Sequence, residues 1–399
     1  HCIPSSNIIR NDARKRVGCL GSCDTLLKSE NILRIDSNPS AEIQMRSDWV
    51  LIALIFVIGI FAAGQFIKVS LSLPQLSAFY GYSIAEVSVL VSLVGIVSIV
   101  FGLVAGNIVA AFGARKTLCT ALLLGSSISV LQVFLPSIWV MSILRFIEGF
   151  SHLAVVVSAP AMMAGAASER ARPIAMALWA TFFGVSFALA TIIVPKLLDI
   201  GGLPILFGVH GIGFLVLAAL VALRAPYSNY SPLELRYLRT HLTTYSTPNL
   251  CAPALGFVFY TFIYVALLTF LPEAIDKPSW QTWLPLLALI ATMIAGWLSR
   301  FWGTFRISLF GFSLTVVGGL GVLQGIDFAA WLMFIGLGFI PAAQFAMIAE
   351  LNGTEGERAK AAGAIAQMGN VGTATGTPVF AVLLLWGGTS WIFFSIIAA

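Results

Sequence analysis

Charge is what this sequence has least of. Asp, Glu, Lys and Arg make up 10% of its 399 residues, while 59% are hydrophobic. Soluble domains run near about 25% charged, so the chain lacks the polar surface that a water-facing exterior needs, and its solvent is read as lipid. Several chemical signatures are missing too. There is no HExxH zinc motif, no GxSxG elbow and no Gly-rich phosphate loop, which argues against a membrane enzyme and against an ATP-driven pump. Of five cysteines, Cys2, Cys19 and Cys23 fall in the first 44 residues, and Cys119 and Cys251 sit near predicted helix ends. No disulfide framework, metal site or cofactor follows from them.

What is present is a series of apolar stretches. A helix needs about 20 apolar residues to cross the hydrocarbon core. Such stretches lie at Trp49 to Phe79, Ile84 to Ala111, Leu118 to Leu135, Ser137 to Ala166, Pro173 to Val194, Leu203 to Leu223, Leu250 to Leu271, Trp283 to Trp297, Ile307 to Leu323, Trp331 to Ala349 and Ala361 to Leu385. A twelfth opens at Trp391 and is read as truncated, because the residues up to Ala399 are too few to cross a bilayer. Residues 1–44 mix charge with Asn, Ser and Pro without helical or strand period, as disordered or non-native sequence does, and lack the pattern of a signal peptide. The expected organisation is a tail over 1–44, a six-helix bundle over 45–223, a polar linker over 224–249 containing Pro226, Pro232, Glu234 and Pro248, and a second bundle over 250–399.

Loop charges orient the chain. Arg46, Arg115, Lys116, Arg170, Arg172, Arg224, Arg236, Arg239, Arg300, Arg306, Arg358 and Lys360 fall on one side, and only Lys196 and Lys277 on the other. Cytoplasmic loops hold the basic excess, so the amino terminus is placed in the cytoplasm of a bacterial-type inner membrane. The formal charge of +5 reflects this bias and not nucleic-acid binding.

The two bundles carry a weak repeat. Ala105, Gly106, Gly113 and Lys116 recur 190 positions later as Ala295, Gly296, Gly303 and Arg306. Glu169, Arg170, Ala171 and Arg172 recur 188 positions later as Glu357, Arg358, Ala359 and Lys360. Parallel repeats about an axis along the membrane normal produce this pattern.

Two six-helix halves, a central linker and a Gly-rich basic turn after the second span resemble the major facilitator superfamily over about Met45 to Ala399. The turn reads GNIVAAFGARK, in which Gly106, Gly113, Arg115 and Lys116 fit the family's conformational motif. Ala110 and Ala111 stand where the family usually has Asp and Arg, so its cytoplasmic charge latch is expected to be altered, with Arg300 as a candidate substitute. RFIEG at Arg145 to Gly149 and GNVGTATGTP at Gly369 to Pro378 are also similar to family motifs. The whole looks most like bacterial permeases of the cyanate and nitroimidazole type. The resemblance implies a monomeric, twelve-helix, all-α carrier of two pseudo-symmetric halves.

Glycine supplies the packing. Helices in lipid associate through small residues, and Gly95, Gly102 and Gly106 form one such seam, with Gly369, Gly372 and Gly376 another.

Ionisable groups inside spans cost about 2.5–3.5 kcal/mol each, so those retained are candidates for function. Arg145, Glu148 and His152 share one face of the fourth span. Arg145 and Glu148 are expected to pair, with Glu148 and His152 as proton-coupling groups; a structural ion pair beside a hydrogen-bonded histidine is the plainer alternative. In the first span Gln65, Lys68, Ser72 and Gln75 form a polar stripe. Lys68 is expected to be an unpaired cation that attracts an anionic substrate, the alternative being a lysine that snorkels to the interface. Glu86 is placed at the interface, and Glu273, Asp276 and Asp327 in loops. The second half offers Tyr260, Tyr264, Gln344, Gln367 and Asn370, which with Trp179 and His210 would line a cavity or else simply pack.

These residues point to a secondary transporter of a small anion, working by alternating access and coupled to protons. An efflux carrier is the nearest rival. It would place a free carboxylate against cationic drugs, and the fifth span lacks a close Gly-Pro pair, Gly184 and Pro195 being too far apart. A membrane sensor is a rival of another class. The orientation is checked at Asn352-Gly353-Thr354, a glycosylation-like triplet assigned to the cytoplasmic side. In a eukaryotic host an endoglycosidase shift assay should show it unmodified, and a glycosylated product would invert the topology.

Overall fold

A computed structural model describes residues 46–226, 232–233, 236–274, 276–277 and 280–387. The predicted tail, its three cysteines, Glu234 and the span opening at Trp391 lie outside the described residues. Apolar runs capped by short polar turns give a chain of helices, with no strand among the described residues. The first half comprises α1 (Trp49–Ser70), α2 (Leu73–Tyr80), α3 (Ile84–Val87), α4 (Val89–Phe112), α5 (Ala114–Gln132), α6 (Ile138–Ala166), α7 (Arg172–Ala180) and α8 (Phe182–Arg224). A linker helix, α9 (Tyr237–Ser246), leads to α10 (Pro248–Ala274), α11 (Trp280–Trp302), α12 (Thr304–Leu323), α13 (Ala329–Leu351) and α14 (Glu355–Gly387). Eight of the described helices are long and apolar enough to cross a membrane. Side chains such as Trp139, Ile192, Ile200, Ile212 and Leu223 project from the outside of the bundle, as lipid-facing residues do.

Several predicted spans are broken or fused. The first breaks at Leu71 and Ser72, where the Ser72 hydroxyl donates back to the Lys68 carbonyl at 2.7 Å. Gln75 lies beyond that break and is exposed, so the polar stripe ends at Ser72. The fifth span breaks at Thr181, between α7 and α8. The fifth and sixth are joined in α8 through a kink at Gly201 and Gly202, the latter at φ 68°, and not through the loop expected after Val194. The polar linker contains a helix, α9, and Glu273 belongs to the last turn of α10.

The repeat seen in sequence has a geometric counterpart. Gly113 and Gly303, 190 positions apart, both turn the chain at positive φ, 81° and 75°, ahead of α5 and α12. A β-carbon added to Gly106 on α4 would come within 2.8 Å of Lys360 Cα on α14. One added to Gly296 on α11 would come within 2.2 Å of Ala177 Cβ on α7. Repeat-related glycines thus make repeat-related contacts between the halves. The two glycine seams act as packing surfaces: Gly102 faces Gln367 and Gly363, while Gly369, Gly372 and Gly376 face Phe257, Thr261 and Phe262 of α10.

The apolar core shows which end is closed. At the linker end one cluster runs through both halves, joining Val109, Ala114, Ala159 and Met163 to Phe345, Ala346, Ala362 and Ile365. At the far end the core divides. One cluster, around Leu76, Leu90, Met141 and Phe207, belongs to the first half, and another, around Ile263, Leu284, Phe334 and Phe380, to the second. Burial therefore holds the halves together at the linker end and leaves them separate at the other.

At that closed end a β-carbon on Gly102 would lie 2.8 Å from the Gly363 carbonyl oxygen. Overpacking costs about 1–3 kcal/mol, so Gly102→Leu should prop the linker end open and shift the conformational equilibrium roughly 5- to 150-fold. Ala359 is fully buried in this contact. Maleimide labelling of an Ala359→Cys protein should accelerate accordingly when Gly102→Leu is added; an unchanged rate would contradict the closure described.

Candidate functional site

The rare charges meet inside the first half. Arg145 and Glu148, three residues apart on α6, project from one helical face. Lys68 lies in the last turn of α1, where the helix dipole favours a cation. Ser129 and Gln132 follow the same spacing on α5, and α8 contributes His210. The α5–α8 contact is fixed by the Ser126 hydroxyl, which donates to the Gly211 carbonyl at 2.8 Å.

Glu148 is held by donors on both oxygens. Oε1 accepts from Lys68 Nζ at 2.7 Å, while Oε2 accepts from Arg145 Nη1 at 2.5 Å and Gln132 Nε2 at 2.7 Å. Every group touching the carboxylate donates, so it is ionised in this arrangement. Lys68 Nζ also meets Ser129 Oγ at 2.9 Å, Gln132 Oε1 at 3.1 Å and His210 Nδ1 at 3.3 Å. An ammonium has three protons for these four acceptors. The conflict resolves if Lys68 donates to Glu148, Ser129 and Gln132, and the Ser129 hydroxyl donates to His210 Nδ1 at 3.1 Å. His210 Nε2 then donates to the Phe61 carbonyl at 3.0 Å, which makes the imidazole neutral.

This geometry corrects the expectation of an unpaired Lys68. Lys68 is 2% exposed and fully partnered, and neither faces open space nor snorkels. The Arg145–Glu148 pair is present, and Lys68 joins it as a third member. His152 Nδ1 donates to the Ala62 carbonyl at 3.0 Å, and not to Glu148. Its ring stands edge-on to Phe66 at 4.8 Å, and Phe66 in turn borders Gly95, which lies against Asn370 of the second half. His152 therefore sits between the buried cluster and the contact of the two halves. Trp179 and His210 do not line a cavity: both are buried within the first half, Trp179 against Gly59 and Phe182.

The residues proposed from the second half do not reach this cluster. Tyr260 and Tyr264 stack one turn apart on α10, with ring centroids 5.2 Å apart, and neither hydroxyl has a hydrogen-bond partner among the described residues. Gln344 donates to Ser308 Oγ at 2.7 Å and packs on Gly256. Asn370 donates to the Ala366 carbonyl at 2.8 Å. Gln367 is 5% exposed and bonds to α4 and α9 at the closed end. Sequence reasoning missed Ser129 and Gln132, although Ser126, Ser129 and Gln132 recur every third residue along one face of the third span.

The motif turn also works differently from expectation. Arg115 donates to the Ala222 carbonyl of α8. Where Asp is missing at Ala110, the N-terminus of α5 is capped from the other half: the Ala114 N–H donates to Glu355 Oε1 at 3.0 Å. Arg300 does not take this place. It makes no ion pair among the described residues and borders a linker-end crevice of about 290 Å³ with Glu169, Arg170, Arg172 and Glu350. Beside the α5 cap, α14 opens with a capping box in which the Thr354 N–H and hydroxyl both donate to Glu357 at 3.0 Å, holding that carboxyl below its ordinary range.

No curated protein matches this sequence. Solved structures do match in fold. A human organic anion transporter, MFSD10 (TETRAN), gives a TM-score of 0.72 at 15% identity, over 87% of this chain and 96% of that one. The Escherichia coli fucose:proton symporter FucP gives 0.70 at 14%, over 88% and 96%. The proton:xylose symporter XylE, bound to 6-bromo-6-deoxy-D-glucose, gives 0.64 at 13%, over 88% and 93%. At these identities the likeness carries the fold. Residues 51–340 match the Major Facilitator Superfamily as a family, and with its two pseudo-symmetric helical halves the chain belongs to that superfamily of membrane transporters.

Proposed function

We infer that this secondary transporter moves a small anionic solute across a bacterial-type inner membrane by alternating access, with Glu148 as the proton-coupling carboxylate. One observation carries the reading: Lys68 and Arg145 contribute two positive charges and Glu148 one negative, which leaves +1 among groups at most 2% exposed. An uncompensated ion away from water costs several kcal/mol. Arg145 Nη2 has no hydrogen-bond partner, and Gln65 Oε1 is likewise unpartnered, so the cluster retains binding capacity of both kinds. A solute anion supplies the missing charge.

Proton coupling follows from the same count. Protonating Glu148 raises the cluster from +1 to +2 and frees Lys68 and Arg145 for another anion. A proton and a solute anion then favour each other's binding, and by linkage each raises the other's affinity by the same factor. His152, one turn from Glu148 on the side of the inter-half contact, is the candidate path for the proton. The tyrosines at 260 and 264, with Asn370, supply hydrogen-bonding surface from the second half. An exporter of cationic drugs fits less well, because the buried carboxylate is already saturated by donors.

Uptake into proteoliposomes of a panel of small organic and inorganic anions, with and without a pH gradient, tests the reading. Losing Lys68 brings the cluster to zero and removes a charged donor for the anion, worth about 1.5–3 kcal/mol, so Lys68→Ala should lower uptake by roughly 10- to 100-fold. Glu148→Gln should keep anion exchange and lose the response to the pH gradient. Equal, gradient-driven transport by the parent and both variants would remove Lys68 and Glu148 from the mechanism.

A further inference from the structure

The linker helix is tied to both halves by side chains that make no contact with the charged cluster. From α9, the Tyr237 hydroxyl donates to the Val100 carbonyl of α4 at 3.1 Å, and Thr240 Oγ1 accepts from Asn107 Nδ2 at 2.9 Å. The amide of Gln367, on α14, is the point where three segments meet. Its Nε2 donates to the Ile99 carbonyl of α4 at 2.6 Å and lies 3.2 Å from His241 Nε2 of α9, and its Oε1 accepts from the Tyr245 hydroxyl at 2.8 Å. Gly102 makes this possible, since any β-carbon there would come within 2.7 Å of Gln367 Cβ.

Donor capacity fixes the proton positions. The Ile99 carbonyl only accepts, so the NH2 side of the Gln367 amide faces α4. The Tyr237 carbonyl only accepts, so the proton of His241 is on Nδ1, 2.9 Å from that oxygen. His241 Nε2 is then a bare lone pair receiving the second Gln367 proton. A protonated imidazole would set N–H against NH2. Turning the amide over would relieve that clash, but it would place Oε1 against the Ile99 oxygen and lose the bond from Gln367 to the first half.

We propose that His241 is a proton-sensitive catch on the closed end: neutral, it completes the Gln367 bridge between the halves, and protonated, it releases that bridge and favours opening on the linker side. The groups facing its ring are Tyr237, at 4.3 Å between centroids, and Tyr245, at 6.4 Å, from its own helix, and Gln367 from α14. On α4 the Val100 and Ile99 carbonyls and the neutral Asn107 bond to Tyr237, Gln367 and Thr240 and not to the ring, and α10 brings the buried Cys251 beside Tyr245. The charged residues closest along the packed elements are Arg239, two residues before His241, and Lys360, two turns before Gln367 and packed against Gly106. Neither hydrogen-bonds the imidazole among the described residues. The device depends on the side of the membrane that the linker faces, and not on which solute is carried.

The test uses the full chain in lipid nanodiscs, its cysteines replaced and spin labels placed at Phe112 and Phe305, exposed positions near the linker end of each half. Between about pH 7.5 and 5.5, the longer-distance population measured by double electron–electron resonance should rise about fivefold or more. With Glu148→Gln in both proteins to remove the proton-coupling carboxylate, His241→Gln keeps an acceptor for Gln367 and has no imidazole, so its distances should not move with pH while those of the protein retaining His241 should. An unresponsive parent, or the same response in His241→Gln, overturns the proposal. Nitrogen-15 histidine spectra of the unsubstituted protein give a check that no folding defect can confound: at about pH 7.5 the His241 signal should show protonated Nδ1 and bare Nε2, and the opposite tautomer also overturns it.

Discussion

Glu148 brings one negative charge into a lipid-embedded helix bundle and meets two positive ones there, and much of the first half is arranged around that encounter. Lys68 and Arg145 both pair with the carboxylate, and the carboxylate needs the donors that saturate both of its oxygens. The cluster in turn sets neighbouring sequence: Ser129 and Gln132 on α5 accept from the ammonium, and His210 on α8 must be neutral beside it. Four spans are pinned to one another by polar contacts, in a solvent that gives little reward for burying apolar side chains. An apolar replacement of the whole cluster would satisfy stability equally well, since buried ion pairs rarely win against hydrophobic packing. Its retention therefore points to work done by the charges.

The second constraint is the absence of side chains where the halves touch. Gly102, Gly106 and Gly363 allow α4 and α14 to approach backbone to backbone, and Gly296 does the same for α11 on α7. Close approach through small residues gives dispersion contact without interlocking side chains, so such surfaces separate as rigid bodies. Directional contacts are added at the linker end: the Gln367 amide, the Asn107–Thr240 bond and the Glu355 cap on α5. The far end has two separate apolar clusters in their place.

The fold class was legible in the sequence because hydropathy needs only composition and length, and eleven predicted spans have helical counterparts among the described residues. Helix breaks were less legible. The turn at Leu71 and Ser72 leaves the apolar run unbroken, so no window of hydropathy records it, while the charges at Lys196 and Asp199 suggested a loop where the chain stays helical up to the kink at Gly201–Gly202. The pairing of Arg145 with Glu148 followed from spacing along one helix. The third partner did not, since Lys68 lies 80 residues away and only tertiary packing decides which helix it faces. Helical spacing put His152 one turn from Glu148, yet its ring turns to the Ala62 carbonyl. The role of Glu355 was hidden for a related reason: a carboxylate that caps a helix from another part of the chain leaves no local capping signature.

Charge and closure are thus divided between different parts of the molecule. The charged cluster lies wholly within the first half, so a rigid rotation of the halves would leave its internal bonds intact. Coupling between a buried charge and the motion must then run through groups that belong to both. His152 and Phe66 border Gly95, and Gly95 borders Asn370, three residues beyond the amide that holds the linker end shut. A change of charge at Glu148 is therefore one helical turn from a side chain that bears on the contact between the halves, and that contact lies on the same two helices, α4 and α14, as the closing bridge. A short path of packed groups joins the two, and a contiguous path of this kind is what carries coupling between a site and the motion of rigid halves.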